Sequence, residues 1–169
     1  MDLYVESLIA PLRTAAGLDF FLFFTEIARA MPLTILLATT ALFFWVHGLR
    51  SYAYALLLSV AGSELVSYLL KLLVARARPG YALLDESTFS FPSGHAVVGF
   101  SFFALFFFLV ARKAESEMAA NALRLAGIVF ASLVALSRLY LGVHYATDVI
   151  AGSAIGIVAC VLALRYVAG

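Results

Sequence analysis

The chain has 169 residues, of which 64% are hydrophobic and only 12% are charged, and its mean hydropathy is +1.05. A soluble domain is nearer half apolar and a quarter charged, so a water-soluble fold is excluded and lipid must solvate most of the chain. The net charge of +1, without a basic tract, gives no reason to expect a nucleic-acid partner. The single cysteine, Cys160, excludes an internal disulfide and a cysteine metal cluster.

The N-terminal segment is less apolar than the rest and predicts helices at the membrane surface. Residues 3–13 and 18–30 each mix charged and apolar side chains, which is typical of amphipathic helices at a bilayer interface. An alternative is one helix from about 18 to 47, kinked at Pro32. The early acidic residues, with no basic segment before a long apolar run, argue against a cleavable signal peptide.

Five apolar stretches follow, each near the length of roughly 17–25 residues that a membrane-spanning helix needs. None shows the polar–apolar alternation of a barrel strand. We therefore predict an all-α polytopic transmembrane bundle with about five spans, forming a single membrane-embedded domain over residues 1–169. The spans lie near 31–48, 53–74, 95–111, 119–139 and 146–167.

Two polar breaks between spans fall on the same side of the membrane when the five spans alternate. They are the segments Pro79–Gly94 and Tyr140–Val143. The opposite side carries most of the basic residues, which favour the cytoplasm. These are Arg50, Arg112, Lys113, Arg124 and Arg165. The side with the two breaks is therefore predicted to be extracytoplasmic.

Basic side chains accompany the end of the second span. Lys71 and Arg78 are seven residues apart, which on a helix places them about 20° apart in azimuth, and Pro79 is expected to end that helix. Both can point to one spot at the membrane surface, although snorkelling towards lipid headgroups would explain them equally well. Arg76, on another side of the helix, is the better candidate for snorkelling, and Glu64 is predicted to be a buried polar partner.

The third span begins with Pro92-Ser93-Gly94-His95, a tight turn before a helix start. A helix start presents free N–H groups and the positive end of the helix dipole, both of which suit an anion. Ser93 is predicted to cap the helix, and its hydroxyl could bind phosphate oxygen while His95 donates a proton. A plain cap with an interfacial histidine would fit this tetrapeptide as well.

A third polar group surrounds the last break. His144 and Asp148 are four residues apart on one helix face, so the carboxylate can fix the imidazole tautomer and leave the other ring nitrogen free to attack. Arg138 would diverge from His144 on a continuous helix, but a break at Gly142 can bring both to one site. A structural His–Asp pair beside a snorkelling arginine is the simpler alternative.

A metal site in this region would use His144, Asp148 and His95 as ligands. The same face holds three fixed cations, which would repel a divalent cation and attract a phosphate carrying about two negative charges. We therefore predict an anion site with no metal and no cofactor.

Taken together, three motifs resemble the three-part signature of the type 2 phosphatidic acid phosphatase superfamily. They are Lys71-x6-Arg78-Pro79, Pro92-Ser93-Gly94-His95 and Ser137-Arg138-x5-His144-x3-Asp148, in order and with the family's spacings. The resemblance covers residues 64–169 directly. Ala77 and Ala146 stand where proline is frequent in the family, and neither change removes a chemical group. Soluble haloperoxidases share the signature, but the composition excludes them.

The resemblance implies a role for each motif residue in a phosphatase. His144 would attack phosphorus and become transiently phosphorylated, Asp148 would orient His144, and His95 would protonate the leaving oxygen. Phosphate binding would fall to the cations and the helix start: Lys71, Arg78, Ser93, Gly94 and Arg138. A neutral nucleophilic histidine and a protonated acid predict a bell-shaped pH–rate curve.

The resemblance also implies a lipid substrate, and the short prokaryotic members favour undecaprenyl pyrophosphate. Phosphatidylglycerol phosphate, phosphatidic acid and lipid A phosphate are alternatives, with headgroup selectivity expected in the loop 81–91. A transporter or a non-catalytic lipid-binding protein is the rival class, since intramembrane charges also mark transport pathways. Gly152-x3-Gly156 allows close helix packing, either within the bundle or between protomers, and the oligomeric state stays open.

Overall fold

The computed structural model describes residues 1–168, and every regular element among them is helical. Eight α-helices follow one another, with a short 3₁₀ turn after the first and a π-helical stretch, Gly99–Ala104, between the fifth and sixth. In chain order they are α1 Asp2–Ile9, α2 Ala15–Ile27, α3 Ala30–Val46, α4 Arg50–Val74, α5 Gly94–Val98, α6 Leu105–Ala111, α7 Glu117–Tyr140 and α8 Ala146–Ala168.

Four helical segments are long and apolar enough to cross a membrane, namely α4, the continuous segment Gly94–Ala111, α7 and α8. The pair α2 and α3 adds a fifth if it is counted as one span bent by 54°. The predicted all-α bundle with about five spans is therefore confirmed. The helical pattern follows from the lipid environment, because backbone groups in lipid must be bonded within the segment.

The bend between α2 and α3 is not at Pro32, as the single-helix alternative expects. It lies at Ala28 and Arg29, which separate the two helices. Pro32 is the third residue of α3, within the first helical turn, where its missing N–H group costs nothing. The proline therefore starts a helix rather than kinking one.

The segment Gly94–Ala111 lies at the centre of the bundle, since 61% of it is buried inside the protein against 22–33% for the other three spans. Helix α8 packs closely on it through two glycines. A Cβ atom on Gly152 would lie 2.4 Å from the Ser93 carbonyl oxygen, and one on Gly156 would lie 2.4 Å from that of Val97. The glycine pair therefore packs within the bundle, which is one of the two interpretations given for it above.

The two polar breaks meet at one end of the bundle, where the amide of Leu83 donates to the carbonyl of Leu141 at 3.1 Å. Gly142 has a left-handed φ of 67°, which allows the chain to turn sharply between α7 and α8. Helix α1 lies at the same end, since Arg13 pairs with Glu6 at 2.8 Å and donates to the Tyr140 carbonyl at 2.7 Å. This end of the bundle is called the polar end below.

Candidate active site

The end of α4 differs from the sequence prediction. The helix stops at Val74, Ala75 has a left-handed φ of 46°, and residues 76–79 are not helical. The prediction that Lys71 and Arg78 share a helical stripe ended by Pro79 is therefore wrong. Both side chains nevertheless line one cavity of about 410 Å³ at the polar end. Leaving the helix early lets Arg78 turn back into the bundle, and the following proline disfavours helical backbone at Arg78.

Lys71 holds the loop that follows α4. Its ammonium group donates to the carbonyl oxygens of Phe89 at 2.7 Å and Pro92 at 2.8 Å. Glu64 forms no ion pair with Lys71 among the described residues, and its Oε1 is buried without a hydrogen-bond partner there. The lysine therefore holds the loop in place and also contributes a positive charge to the cavity wall.

The Nε2 side of His144 faces Arg78. Arg78 Nη1 lies 3.2 Å from His144 Nε2 and 2.9 Å from the Val143 carbonyl oxygen. A guanidinium can only donate, so Nε2 accepts and the ring proton belongs on Nδ1. Burial, followed by the positive charges of the nearby arginines, lowers the pKa of His144 to about 4. At neutral pH the ring is therefore uncharged, with its Nε2 lone pair directed into the site.

The Nδ1 side of His144 faces Asp148, whose side chain is fully buried. The distance from Nδ1 to Asp148 Oδ2 is 3.5 Å. That oxygen also accepts from the Ser90 hydroxyl and, at 2.9 Å, from the Tyr145 amide, while Oδ1 accepts from Arg76 Nη1 at 2.7 Å. The carboxylate is thus held by donors on both oxygens, which fixes the side from which it addresses the imidazole.

Arg138 is fully buried, and an internal carboxylate already binds it. Its Nη2 contacts Glu86 Oε1 and its Nη1 donates to Thr25 Oγ1 at 3.1 Å. The second oxygen of Glu86 lies 3.9 Å from Arg78 Nη2. Burial alone would raise the pKa of Glu86, but the two arginines outweigh it and hold the pKa below its usual range. An ionised carboxylate therefore lies between two of the three predicted phosphate-binding cations.

The turn at the start of α5 brings further polar atoms to this place. Ser93 occupies the predicted N-cap position, although its side chain makes no capping hydrogen bond. Its amide instead donates to the Asp148 carbonyl at 3.0 Å. Within residues 1–168, Ser93 Oγ, His95 Nε2 and Arg138 Nε are buried without a hydrogen-bond partner. Unpaired buried polar atoms are rare, and these three suit a ligand with several acceptor oxygens.

The remaining predicted residues fall close by. The neighbours of the His95 ring include Arg138 and His144. Gly94 is the first residue of α5, and open space surrounds the position of a Cβ atom there. The structure thus brings all eight predicted site residues to the polar end, and their chemical roles stay predictions.

Sequence reasoning missed several residues of the site. Arg76, expected to snorkel, instead binds Asp148, because α4 has already ended at Val74 and the guanidinium turns inward. Ser90 and Glu86 lie in the loop assigned to headgroup selectivity, where acidic residues opposite three cations were an available signal. Thr25 contacts Arg138 from 113 residues away and Asp2 contacts Thr147 from 145 residues away, so no spacing rule could have placed them.

Charge also decides which ligand the site suits. Among residues 1–168, no group of three or more His, Cys, Asp or Glu side chains is placed to hold a metal ion. The cavity wall instead carries Lys71 and Arg78, with Arg138 behind Glu86. Fixed cations of this kind bind oxyanions.

The fold and the site together define a class: a polytopic helical membrane protein with a buried histidine beside fixed cations at one end of its bundle. The profile of the PAP2 superfamily matches residues 52–169. The chain therefore belongs to the PAP2 superfamily, as its three motifs indicated.

Individual relatives agree with this membership. The chain is 33% identical over 130 residues to phosphatidylglycerophosphatase B of Bacillus subtilis, covering 75% of this chain but only 62% of the relative. It is 31% identical over 143 residues to the provisionally named undecaprenyl-diphosphatase YbjG of Escherichia coli, covering 79% of this chain and 68% of the relative. The chain thus spans about three fifths of the first relative's length.

The fold is also similar to a solved structure. The crystal structure of a transmembrane PAP2-type phosphatidylglycerolphosphate phosphatase from Bacillus subtilis superposes with a TM-score of 0.85 at 25% sequence identity. The match covers 98% of this chain and 83% of that one. The similarity therefore includes the N-terminal helices that the family profile does not cover.

Proposed function

We propose that this protein is an integral membrane lipid phosphatase that hydrolyses a phosphate monoester or pyrophosphate through a phosphohistidine at His144, without a metal ion. One observation carries the proposal. The ionised Glu86 carboxylate lies between Arg138 and Arg78, and Arg78 is 3.2 Å from the nucleophilic Nε2 of His144. A phosphate that replaces this carboxylate would meet the same cations with its phosphorus next to the attacking nitrogen.

The first step transfers the phosphoryl group to the protein. The lone pair of His144 Nε2 attacks phosphorus and the bond to the lipid oxygen breaks, while the Nδ1 proton is held by Asp148. The leaving oxygen takes a proton from His95. Arg78, Arg138 and Lys71 offset the charge that develops on the phosphoryl oxygens.

The second step releases phosphate. A water molecule attacks the phosphohistidine, its proton passes to the now neutral His95, and the bond between Nε2 and phosphorus breaks. Both histidines return to their starting protonation states, so the net reaction is the hydrolysis of one lipid phosphate by one water molecule. The distance of 3.5 Å between His144 Nδ1 and Asp148 is longer than a working hydrogen bond, and such contacts commonly tighten when substrate binds.

The cavity beside α4 suits a substrate that arrives from the bilayer. It is lined by Tyr68 and Leu72 on the helix surface and by Lys71 and Arg78 at its polar side. Tyr68 and Leu72 are 58% and 54% exposed, on a face that lipid covers in a membrane. The lipid tail can stay against this face while the phosphate reaches the cations.

The proposed substrate is a lipid phosphate on the extracytoplasmic side, handled by one domain spanning residues 1–169. The basic residues at the opposite end of the bundle support this orientation. Undecaprenyl pyrophosphate and phosphatidylglycerol phosphate are the leading substrates, since the names of the two relatives refer to these two lipids. Phosphatidic acid and lipid A phosphate complete the set.

Phosphate release from these four lipids by purified protein in detergent micelles, with and without chelator, tests the proposal. We expect release from at least one lipid, unchanged by chelator, and an acid-labile phosphate on His144 in rapid-quench samples. No release from any of them would favour the rival class, a transporter or a lipid-binding protein. Loss of activity with chelator would favour a metal mechanism instead.

A further inference from the structure

We infer that Asp2 and Arg76 are positioning residues of the reaction, which act on His144 through Asp148. Helix α1, which carries Asp2, then contributes to catalysis. The inference rests on the proposed function. It extends the His144–Asp148 pair outward by Asp2, which lies outside the three sequence motifs, and by Arg76, which occupies one of the unspecified positions of the first motif.

Arg76 is the centre of this network. Its Nη1 donates to Asp148 Oδ1 at 2.7 Å and to Thr147 Oγ1 at 2.6 Å, and its Nη2 donates to Asp2 Oδ2 at 2.8 Å. The guanidinium carbon lies 3.9 Å from the centre of the Tyr145 ring. Two carboxylates and an aromatic face therefore hold the guanidinium in a single orientation.

Asp2 completes the network from the N-terminal helix. Its Oδ1 accepts from the Thr147 amide at 3.0 Å, in the first turn of α8, one residue before Asp148. Asp2 thus fixes both the arginine that contacts Asp148 and the backbone that carries it. A helix start with a free amide is a favourable place for this carboxylate.

Burial and charge explain why a second carboxylate matters. The side chain of Asp148 is fully buried, whereas those of Arg76 and Asp2 are 30% and 20% exposed. A buried carboxylate needs a cationic partner, which Arg76 supplies. Because Asp2 shares that cation, the three groups together keep one negative charge, and Asp148 can still stabilise the positive charge that develops on His144 during attack.

A second ion pair on α1 provides a matched control. Glu6 pairs with Arg13 at 2.8 Å and holds the same helix to the bundle, but neither residue contacts Asp148 or Arg76. If docking of α1 is all that matters, Glu6→Gln and Asp2→Asn should behave alike. If Asp2 acts through Arg76, only Asp2→Asn should affect turnover.

The experiment measures kcat and KM in micelles for the wild-type protein, Asp2→Asn, Glu6→Gln, Arg76→Lys and the double variant Asp2→Asn/Arg76→Lys, each checked for monodisperse elution. We expect Asp2→Asn to lower kcat about 10-fold, in the range for residues that orient a catalytic group, with KM within about twofold. Arg76→Lys should lower kcat more, and the double variant should lose less than the product of the two single losses, because Asp2 acts mainly through Arg76.

Unchanged kcat in Asp2→Asn or in Arg76→Lys would overturn the inference, as would an equal loss in Glu6→Gln. A double variant whose losses multiply would also overturn it, because Asp2 would then act independently of Arg76. A wild-type protein inactive on every lipid would instead remove the proposed function, so the two failures are distinguishable.

Discussion

The two sides of the His144 ring differ in how their partners are held. On the Nδ1 side, Asp148 belongs to a regular helix, is fully buried, and receives hydrogen bonds on both oxygens. On the Nε2 side, Glu86 belongs to an irregular loop, is 23% exposed, and contacts two arginines. Asp148 is fixed in a position that orients His144, whereas Glu86 lies where an incoming anion would have to bind.

This difference separates two kinds of effect that substitutions should have. Changes on the Nδ1 side disturb the orientation and charge of the nucleophile, so they should lower kcat. Changes on the Nε2 side alter the competition between Glu86 and a phosphate for the same cations, so they should act on KM and on inhibition by anions.

The largest effect is expected at the histidine that the two sides share. His144→Ala removes the nucleophile, and we expect kcat to fall by at least about 10⁴-fold, as for other covalent catalysts. Phosphate release from the preferred lipid measures this. The matched control is His47→Ala, since His47 is exposed beyond α3 and should leave the rate unchanged. Full turnover by His144→Ala would exclude the phosphohistidine.

The next largest effect lies on the Nδ1 side. Asp148→Asn preserves the shape of the carboxylate but removes its charge, and kcat should fall by about 10²–10⁴-fold with little change in KM. Ser90→Ala removes the hydroxyl that donates to Asp148 Oδ2 and should lower kcat about 10-fold. If either variant raised KM while kcat stayed constant, the two sides would not differ as described.

The same contrast shows what could be predicted from the sequence. Apolar runs of spanning length predicted the bundle, because lipid imposes helices, and the signature residues on α5 and α8 are brought together as expected. The end of α4 was predicted incorrectly, since nothing in Val74-Ala75-Arg76-Ala77 opposes a helix. The helix stops there because both arginines gain hydrogen bonds to distant segments, as in the contact of Arg76 with Asp148. Contacts of this kind, like that of Asp2, depend on the tertiary fold.

A smaller effect is expected on the Nε2 side. Glu86→Gln keeps the side-chain size but removes the charge that pairs with Arg78 and Arg138, so an external anion no longer has to displace a carboxylate. We expect the inhibition constants of orthophosphate and orthovanadate to fall about 5- to 10-fold, in the range of charge-assisted hydrogen bonds.

The control for Glu86→Gln is Asp85→Asn, which removes the same charge from the exposed neighbouring residue. It should change the inhibition constants less than twofold, because an exposed charge is screened by solvent. Inhibition constants that rise in Glu86→Gln would mean that Glu86 helps to bind the phosphate, through a bridging proton, rather than competing with it.

The smallest effect concerns the acid limb of the pH–rate profile. Burial and the neighbouring arginines lower the pKa of His144 to about 4, so the nucleophile stays neutral above that pH and is lost as the pH falls through it. We expect the acid limb of kcat/KM near pH 4 rather than near the usual histidine pKa of about 6.5, with a basic limb as His95 loses its proton.

The substrate phosphate itself titrates near pH 6. Its ionisation is therefore measured by phosphorus NMR in the same micelles and divided out. A corrected acid limb at pH 6.5 would mean that His144 is more exposed to solvent, and less affected by the arginines, than the structure indicates. Activity that rises steadily from pH 4 to 10 would contradict the role of His95 as the acid.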